Sequence, residues 1–415
     1  MSEKLQAPRG TFDVLGDDAL ARDALVETAR RVLEPAGYAR IETPAFEATQ
    51  LFARGVGEST DVVQKEMYTF DSGESESLTL RPEGTAPVCR AYIEHGMHKL
   101  PQPVKLWYLS SFFRRERPQK GRYRQFWQIG SEAIGSDDPA VDAESILLLA
   151  EILEAIGARG LRLRISSLGT AASRAAYREE LTAHLRANEE RLSQEVRDRI
   201  ELNPLRAFDA DHPGTREVMA SAPLLIDFLS DDDHEHFEAV KALLDGVGVA
   251  YEIDPTLVRG LDYYTRTVFE YTSDALGAQS GVGGGGRYDG LVQQLGGPPT
   301  PGMGWAAGIE RMLLASTGQP VVAPVVDLFV AYAAPEAQRC GFRLARDARQ
   351  AGLAAQVELA GRSLKGQLKQ ADRVGARFVA ILGDEGATLK DMESGEQDEI
   401  AADAVIASVL RGRGI

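Results

Sequence analysis

Apolar positions along the chain change period several times, and each change marks an element. Between residues 18 and 36, Leu20, Leu25, Ala29, Val32 and Leu33 recur at helical spacing with Gly37 beyond them, which predicts an amphipathic helix and its C-cap. From Ile41 the pattern turns extended, because Pro44 keeps the residue before it out of the helical region. Residues 64–70 and 77–81 predict a strand pair about the polar turn Asp71-Ser72-Gly73. The apolar and aromatic run 104–113 predicts a buried strand, and 125–134 alternates like its antiparallel partner. Together these predict a mixed, largely antiparallel sheet edged by helices.

The pattern changes after about residue 170. Residues 171–202 read as a helical stretch dense in Glu and Arg, and 231–236 (Asp-Asp-Asp-His-Glu-His) as a polar break before another helix. We take 171–250 as a helical insertion. The β pattern resumes at Leu257 and runs through a glycine-rich turn at 281–286 to a helix near 307–317. A proline-containing linker, 319–324, follows. Beyond it, strands at 325–332, 356–359 and 378–382 alternate with helices at 336–350 and 364–374, which predicts a separate small α/β domain. The expected division is 1–170 and 251–320 for a core, 171–250 for its insertion, and 325–415 for the last domain.

At 415 residues the chain is too long for one ordinary core, which agrees with that division. No segment approaches the roughly 18 consecutive apolar residues that span a bilayer. The start, MSEKLQAPRG, lacks the apolar stretch of a signal peptide, so a cytoplasmic protein is expected. Two cysteines far apart, Cys89 and Cys340, exclude a disulfide framework and disfavour a cysteine-built zinc site. With 46 Lys+Arg against 62 Asp+Glu the net charge is −16, which argues against a protein that coats DNA or other nucleic acid nonspecifically.

Against that acidic body, residues 114–124 hold six basic residues and one acid, with Pro118 to Gly121 as a turn. Concentrated charge of this kind implies a local anionic ligand. Other runs add to it. Glu83 and Thr85 stand in Arg-Pro-Glu-Gly-Thr-Ala-Pro, where Pro82, Gly84 and Pro87 favour a rigid loop presenting a carboxylate and a hydroxyl; a capped loop before a helix at 88–98 explains them equally well. Gln128 and Glu132 lie four apart on a strand and so share a face. An acid-and-amide pocket beside arginines suits a zwitterion, an amino acid.

Arg259, in Leu257-Val258-Arg259-Gly260-Leu261-Asp262-Tyr263-Tyr264, alternates with apolar neighbours; an inward arginine has either a bound anion or an acid partner such as Asp262. The glycine run 281–286 permits close backbone approach to a ligand or is simply a turn. It is neither a P-loop nor a dinucleotide fingerprint. Arg311 sits in the first turns of a helix, where anions are favoured. The six histidines form no dyad with a nucleophile, no Gly-x-Ser-x-Gly elbow occurs, and no metal site from side chains is expected.

Pro44 after a long helix, the arginine-rich strand-loop-strand, and Gly308-Ile309-Glu310-Arg311 resemble the three ordered motifs of class II aminoacyl-tRNA synthetases. Arg259-Gly260-Leu261-Asp262-Tyr263-Tyr264 and Gly285-Gly286-Arg287-Tyr288-Asp289 resemble the two signature peptides of the histidyl-tRNA synthetase family, and 363–368 with 395–397 resemble its anticodon-binding domain. The resemblance spans nearly the whole chain. It implies an α+β multidomain fold: an antiparallel-sheet catalytic core with a helical insertion, plus a C-terminal α/β anticodon-binding domain. It implies a ligase that activates L-histidine with ATP and charges histidine tRNA, as a homodimer, with Mg²⁺ bound mainly through the ATP phosphates. By the same resemblance Glu83 and Gln128 would hold the α-amino group, with Thr85 close by; Glu132 and Tyr264 would grip the imidazole, Tyr288 would close the pocket, and Tyr263 would belong to the same histidine-binding set. Arg114 and Arg259 would meet the α-phosphate and carboxylate and Arg311 the γ-phosphate; Arg122 would bind ATP, and with Gln119 and Lys120 at the loop tip it would also lie at the tRNA acceptor end. The rival is a histidine-binding regulatory paralogue, a subunit of ATP phosphoribosyltransferase; the intact Arg259 peptide and residues 325–415 argue against it.

Overall fold

The computed structural model describes residues 4–57, 60–71, 73, 76–277, 280–317, 325–383 and 386–412, which fall into two units, Met1–Gln319 and Pro320–Ile415. The expected linker 319–324 and Ser72 of the first turn lie outside the described residues. In chain order the strands of the first unit are β1 (Ala39–Arg40), β2 (Phe46–Ala48), β3 (Tyr68–Asp71), β4 (Ser77–Leu80), β5 (Val104–Phe113), β6 (Gln125–Ile134), β7 (Leu161–Ser167), β8 (Glu252–Ile253), β9 (Thr265–Ser273), β10 (Gly281–Arg287) and β11 (Gly302–Gly308). Eight of them form one sheet in the order β1-β5-β6-β11-β10-β9-β7-β8, antiparallel except for its two edge pairs. A small sheet, β2-β4-β3, stands apart.

Strand alternation decides what each face of the large sheet carries. Trp107, Ile129, Ala133, Phe269 and Trp305 point to one face, where helices Asp17–Leu33, Pro139–Ala155 and Asp231–Gly246 cover them. Leu106, Tyr108 and Phe112 point to the other face, against Val88, Cys89 and Tyr92 of helix Thr85–Glu94. On that second face the register lines up Arg164, Glu270, Gly284, Ala306, Gly130 and Tyr108 in one row across six strands. The middle three residues are Gly, Ala and Gly, so the centre of the sheet has no side chain beyond a methyl there. A depression between Glu270 and Tyr108 is the geometric consequence.

Several elements depart from the sequence reading, each for a local reason. The glycine run is a strand, β10, and not a turn; with no side chains it gives no alternation, and its neighbours have closed onto the bare backbone. A Cβ on Gly284 would stand 2.5 Å from Phe269 O and 3.1 Å from the Arg259 guanidinium. Helix Asp17–Leu33 stops short of residue 36, because Pro35 cannot donate the next helical hydrogen bond. Residues 62–66 form a π-helical turn, so the first strand of the small pair begins at Tyr68. Helix Thr85–Glu94 starts before 88 and contains Pro87, whose missing N–H falls in the first turn where none is needed.

The stretch 171–202 is not one helix. It ends at Ala187, where Asn188 Nδ2 donates to His184 O at 2.9 Å, and shorter pieces follow through Pro213–Met219. Residues 231–236 open helix Asp231–Gly246 instead of breaking the chain. Ser230 Oγ caps it by accepting from Asp233 N, and the acids of the first turn lie at its positive end.

The second unit has β12 (Leu328–Tyr332), β13 (Ala355–Val357), β14 (Phe378–Leu382), β15 (Ala387–Asp391) and β16 (Gln397–Ile400), in the order β13-β12-β14-β15-β16. The first three are parallel, and helices Gln338–Gln350 and Leu364–Arg373 cover opposite faces. The β15–β16 hairpin and the last helix, Val405–Gly412, carry no signal that the alternation of apolar runs revealed. Among the described residues no helix is long and apolar enough to cross a membrane.

Candidate active site

The depression on the sheet opens into a cavity of about 340 Å³. Glu83, Thr85, Gln128, Tyr263 and Tyr264 line it, and so do Arg114, Arg122, Arg259 and Arg311. Nine residues singled out from separate stretches of the sequence therefore meet in one space. Glu132 and Tyr288 lie just beneath its wall, both fully buried, while Gln119 and Lys120 are exposed at the hairpin tip outside it. That tip is tight: Gln119 and Arg122 exchange backbone hydrogen bonds of 3.0 and 2.9 Å about Lys120 and Gly121, and Gly121 takes the φ of +75° that the turn requires.

The acid-and-amide end is built from a helix start and a strand. Glu83 accepts from Thr85 N at 2.8 Å and Ala86 N at 2.9 Å, so its carboxylate caps helix Thr85–Glu94 while it also lines the cavity. Both readings of this carboxylate hold at once. Tyr263 OH reaches it at 3.3 Å. Burial pushes its pKa up, against the two backbone N–H bonds that lower it. Across from it, Gln128 Oε1 is buried with no hydrogen-bond partner among the described residues. A buried carbonyl oxygen left so is a ready acceptor for a ligand donor.

Glu132 lies deeper and is fully buried. Tyr288 OH donates to it at 2.6 Å, Thr85 Oγ1 at 2.8 Å and Tyr108 OH at 3.5 Å. Burial pushes its pKa up to about 8, although these hydroxyls favour the charged form. Its position requires Gly304 on the neighbouring strand, where a Cβ would collide with the Glu132 carboxylate.

The cationic end has a different construction. Arg259 Nη1 pairs with Glu270 at 2.7 Å, and Arg164 pairs with the other oxygen of the same carboxylate. The acid partner allowed for Arg259 is thus Glu270, and Asp262 bonds to Asn203 instead. Burial works against the charge of Arg259, but Glu270 beside it more than offsets this and raises its pKa. Arg114 donates to Pro82 O at 2.9 Å and lies over the Phe126 ring at 5.3 Å. Glu116 sits between Arg114 (3.9 Å) and Arg122 (3.4 Å) as a local counter-charge. Burial and the nearby Arg122 cation lower the pKa of Arg311. Four guanidinium groups facing one volume create a field suited to a polyanion.

Sequence reasoning missed Glu270, Glu116, Phe126, Tyr108 and Tyr123 as cavity residues. Phe126 and Tyr123 follow the arginine cluster directly, so their place in the alternation could have found them. Nothing local marks Glu270, which owes its role to pairing with Gly284. Arg287, inside one of the signature peptides, is fully buried and structural: it pairs with Asp142 and donates to Ser136 O at 2.9 Å and Asp138 O at 3.2 Å. Among the described residues no group of His, Cys, Asp or Glu side chains could hold a metal.

Residues 10–312 match the family model described as histidyl-tRNA synthetase, and residues 319–411 match that of an anticodon-binding domain. A histidine–tRNA ligase from Desulforamulus reducens is 47% identical over 95% of this chain and 96% of its own. One from Corynebacterium kroppenstedtii is 47% identical over 99% and 97%. The solved structure of apo histidyl-tRNA synthetase from S. aureus aligns with a TM-score of 0.82 at 37% identity, over 98% of this chain and all of that one.

Proposed function

Because the chain belongs to the histidyl-tRNA synthetase family, we propose that the cavity on its large sheet holds L-histidine at the Glu83–Gln128–Tyr264 side and ATP at the arginine side. The enzyme is an ATP-dependent histidine–tRNA ligase. One observation supports the residue roles above the rest: an acid-and-amide end and four arginines line a single volume. A regulatory histidine-binding paralogue is the weaker reading, since it has no use for the anticodon-binding unit at 319–411.

In the first step a histidine carboxylate oxygen attacks the α-phosphorus of ATP, and the bond to the bridging oxygen breaks as pyrophosphate leaves. Two anions must approach one another and charge builds on the α-phosphoryl oxygens. Arg259 and Arg114 supply fixed positive charge there, and no protein nucleophile is needed. Arginine suits the task because it stays protonated and binds phosphate oxygens bidentately. Arg122 and Arg311 take the outer phosphates, Glu116 giving way to them, and the Phe126 ring offers a face for adenine. Mg²⁺ brought in with the ATP substrate would supply screening of its outer phosphates, which Arg122 and Arg311 would hold. In the second step a terminal ribose hydroxyl of the tRNA attacks the adenylate carbonyl and AMP leaves.

At the amino-acid end Glu83 and Gln128 Oε1 accept from the α-ammonium group, with Thr85 close by. Glu132 and Tyr264 pair with the two imidazole nitrogens, while Tyr263 and Tyr288 pack the ring and fix the two acids. A rival side chain without ring nitrogens leaves these buried groups unpaired, which is how such a site rejects it. Gln119 and Lys120, exposed at the hairpin tip, meet the tRNA acceptor end. We further place the enzyme in the cytoplasm as a homodimer, with the small sheet at the contact. Phe46 and Phe70 pair edge to face at 6.2 Å there, yet remain 49% and 43% exposed.

Removing residues 325–415 is expected to leave histidine-dependent pyrophosphate exchange within about three-fold while lowering tRNA charging by roughly 100-fold. Exchange and charging assays on the truncated protein check this. An equal loss of both would show that the second unit serves the adenylate site and not the tRNA.

A further inference from the structure

Residues 257–264 form a wall with a cavity on either side. Behind it, away from the first cavity, lies a second one of about 240 Å³, and Arg259, Leu261 and Tyr264 line both. The position of this thin wall fixes where Arg259, Tyr263 and Tyr264 stand in the first cavity. Its rear is held largely by the helical segment 171–250. Arg174 Nη1 donates to Tyr264 O at 2.8 Å, Asn203 Nδ2 donates to Asp262 Oδ1 at 2.9 Å, and Asp233 Oδ1 accepts from Arg266 Nε at 3.0 Å.

Two features show that these bonds impose a conformation. Arg266, two residues past Tyr264, has a φ of +44°, a left-handed backbone that side chains disfavour. Such a residue persists only where its surroundings over-determine it. Here Arg266 N donates to Gly169 O at 2.9 Å and Leu168 N to Arg266 O at 2.7 Å. Asp233, itself fully buried, is immobilised by Thr170 N, Thr170 Oγ1 and Ser173 Oγ at 2.7 to 3.1 Å. The second feature is Arg174. No carboxylate of the described residues forms an ion pair with it, so its one charged hydrogen bond goes to a backbone carbonyl of the wall. Burial correspondingly lowers its pKa. A part-buried guanidinium spent on a main-chain oxygen, with no carboxylate paired to it, is costly unless the position it fixes matters.

We propose that Arg174 is a positioning residue for histidine, acting through the Tyr264 main chain, and that the helical segment thereby forms the rear half of the amino-acid pocket. This rests on the reading that Tyr263 and Tyr264 face the substrate. An uncoordinated Tyr264 carbonyl lets the Tyr263–Tyr264 end of the wall relax into the second cavity, which loosens the histidine side of the site. Arg259 at the other end stays anchored by Glu270, and the phosphate side, built on it with Arg114 and Arg311, remains as it was.

The test is steady-state pyrophosphate exchange by the full-length protein carrying Arg174→Met, Arg174→Lys or Tyr264→Phe. Arg174→Met is expected to raise the KM for histidine roughly ten-fold, with the KM for ATP and kcat within about two-fold, and Arg174→Lys to recover part of the loss. Should Arg174→Met fail to fold, Asn203→Ala releases the same wall at Asp262 and carries the same expectation. A normal histidine KM in Arg174→Met alongside a raised one in Tyr264→Phe overturns the proposal alone. Normal values in both overturn the reading of the pocket beneath it. A drop in kcat with both KM values unchanged makes Arg174 merely structural, which also overturns the proposal.

Discussion

Arg259→Ala should lower histidine-dependent pyrophosphate exchange by roughly 1,000-fold, the scale of losing a preorganised charge at a developing oxyanion. The fold should survive. Arg259 pairs with Glu270, but Arg164 holds the other oxygen of that carboxylate, so the substitution leaves no unpaired buried acid. Arg259→Lys should recover little, because a single ammonium cannot bridge two oxygens as guanidinium does. The measurement is exchange rate beside a thermal melt. Near-normal exchange, or a melt that collapses with it, would remove Arg259 from the reaction centre.

Glu132→Gln should change both pH behaviour and histidine affinity. Burial lifts the Glu132 carboxyl from its ordinary 4.5 up to about 8. A group whose folded pKa is raised contributes stability that is complete below the unfolded value and is lost as pH rises through the folded one. The ligand-free enzyme should therefore lose melting temperature between about pH 5 and pH 8, and the glutamine variant should lose less over the same interval. An amide has no charge to bury. The same change deprives an imidazole N–H of a carboxylate acceptor, so the KM for histidine should rise by roughly 10- to 100-fold. Parallel melting curves at both pH values with an unchanged KM would mean that Glu132 is a neutral packing residue.

Much of this site could be read from residues alone, and the reasons are physical. Residues 104–113 and 125–134 announced their strands because one face of each is apolar and Pro118 to Gly121 can only turn. Gln128 and Glu132 then had to share a face by the period of the strand. What stayed hidden depended on partners far away in sequence. The strand Gly281–Arg287 has no pattern to read, since its glycines are chosen by what lies across from them. Glu270 looks like an outward acid in Thr265–Ser273 until register sets it opposite Gly284. Asp233 and His236 look like a solvated run, yet both are buried because the helix they start packs against the sheet. Glu83 combined two readings that local sequence presents as alternatives.

The central claim is that one cavity selects histidine and joins it to the α-phosphate of ATP. Pyrophosphate exchange measured with each of the twenty amino acids, without tRNA, tests it most directly. Exchange with histidine alone is the expected result. Exchange with another amino acid at comparable kcat/KM, or with none, would contradict it.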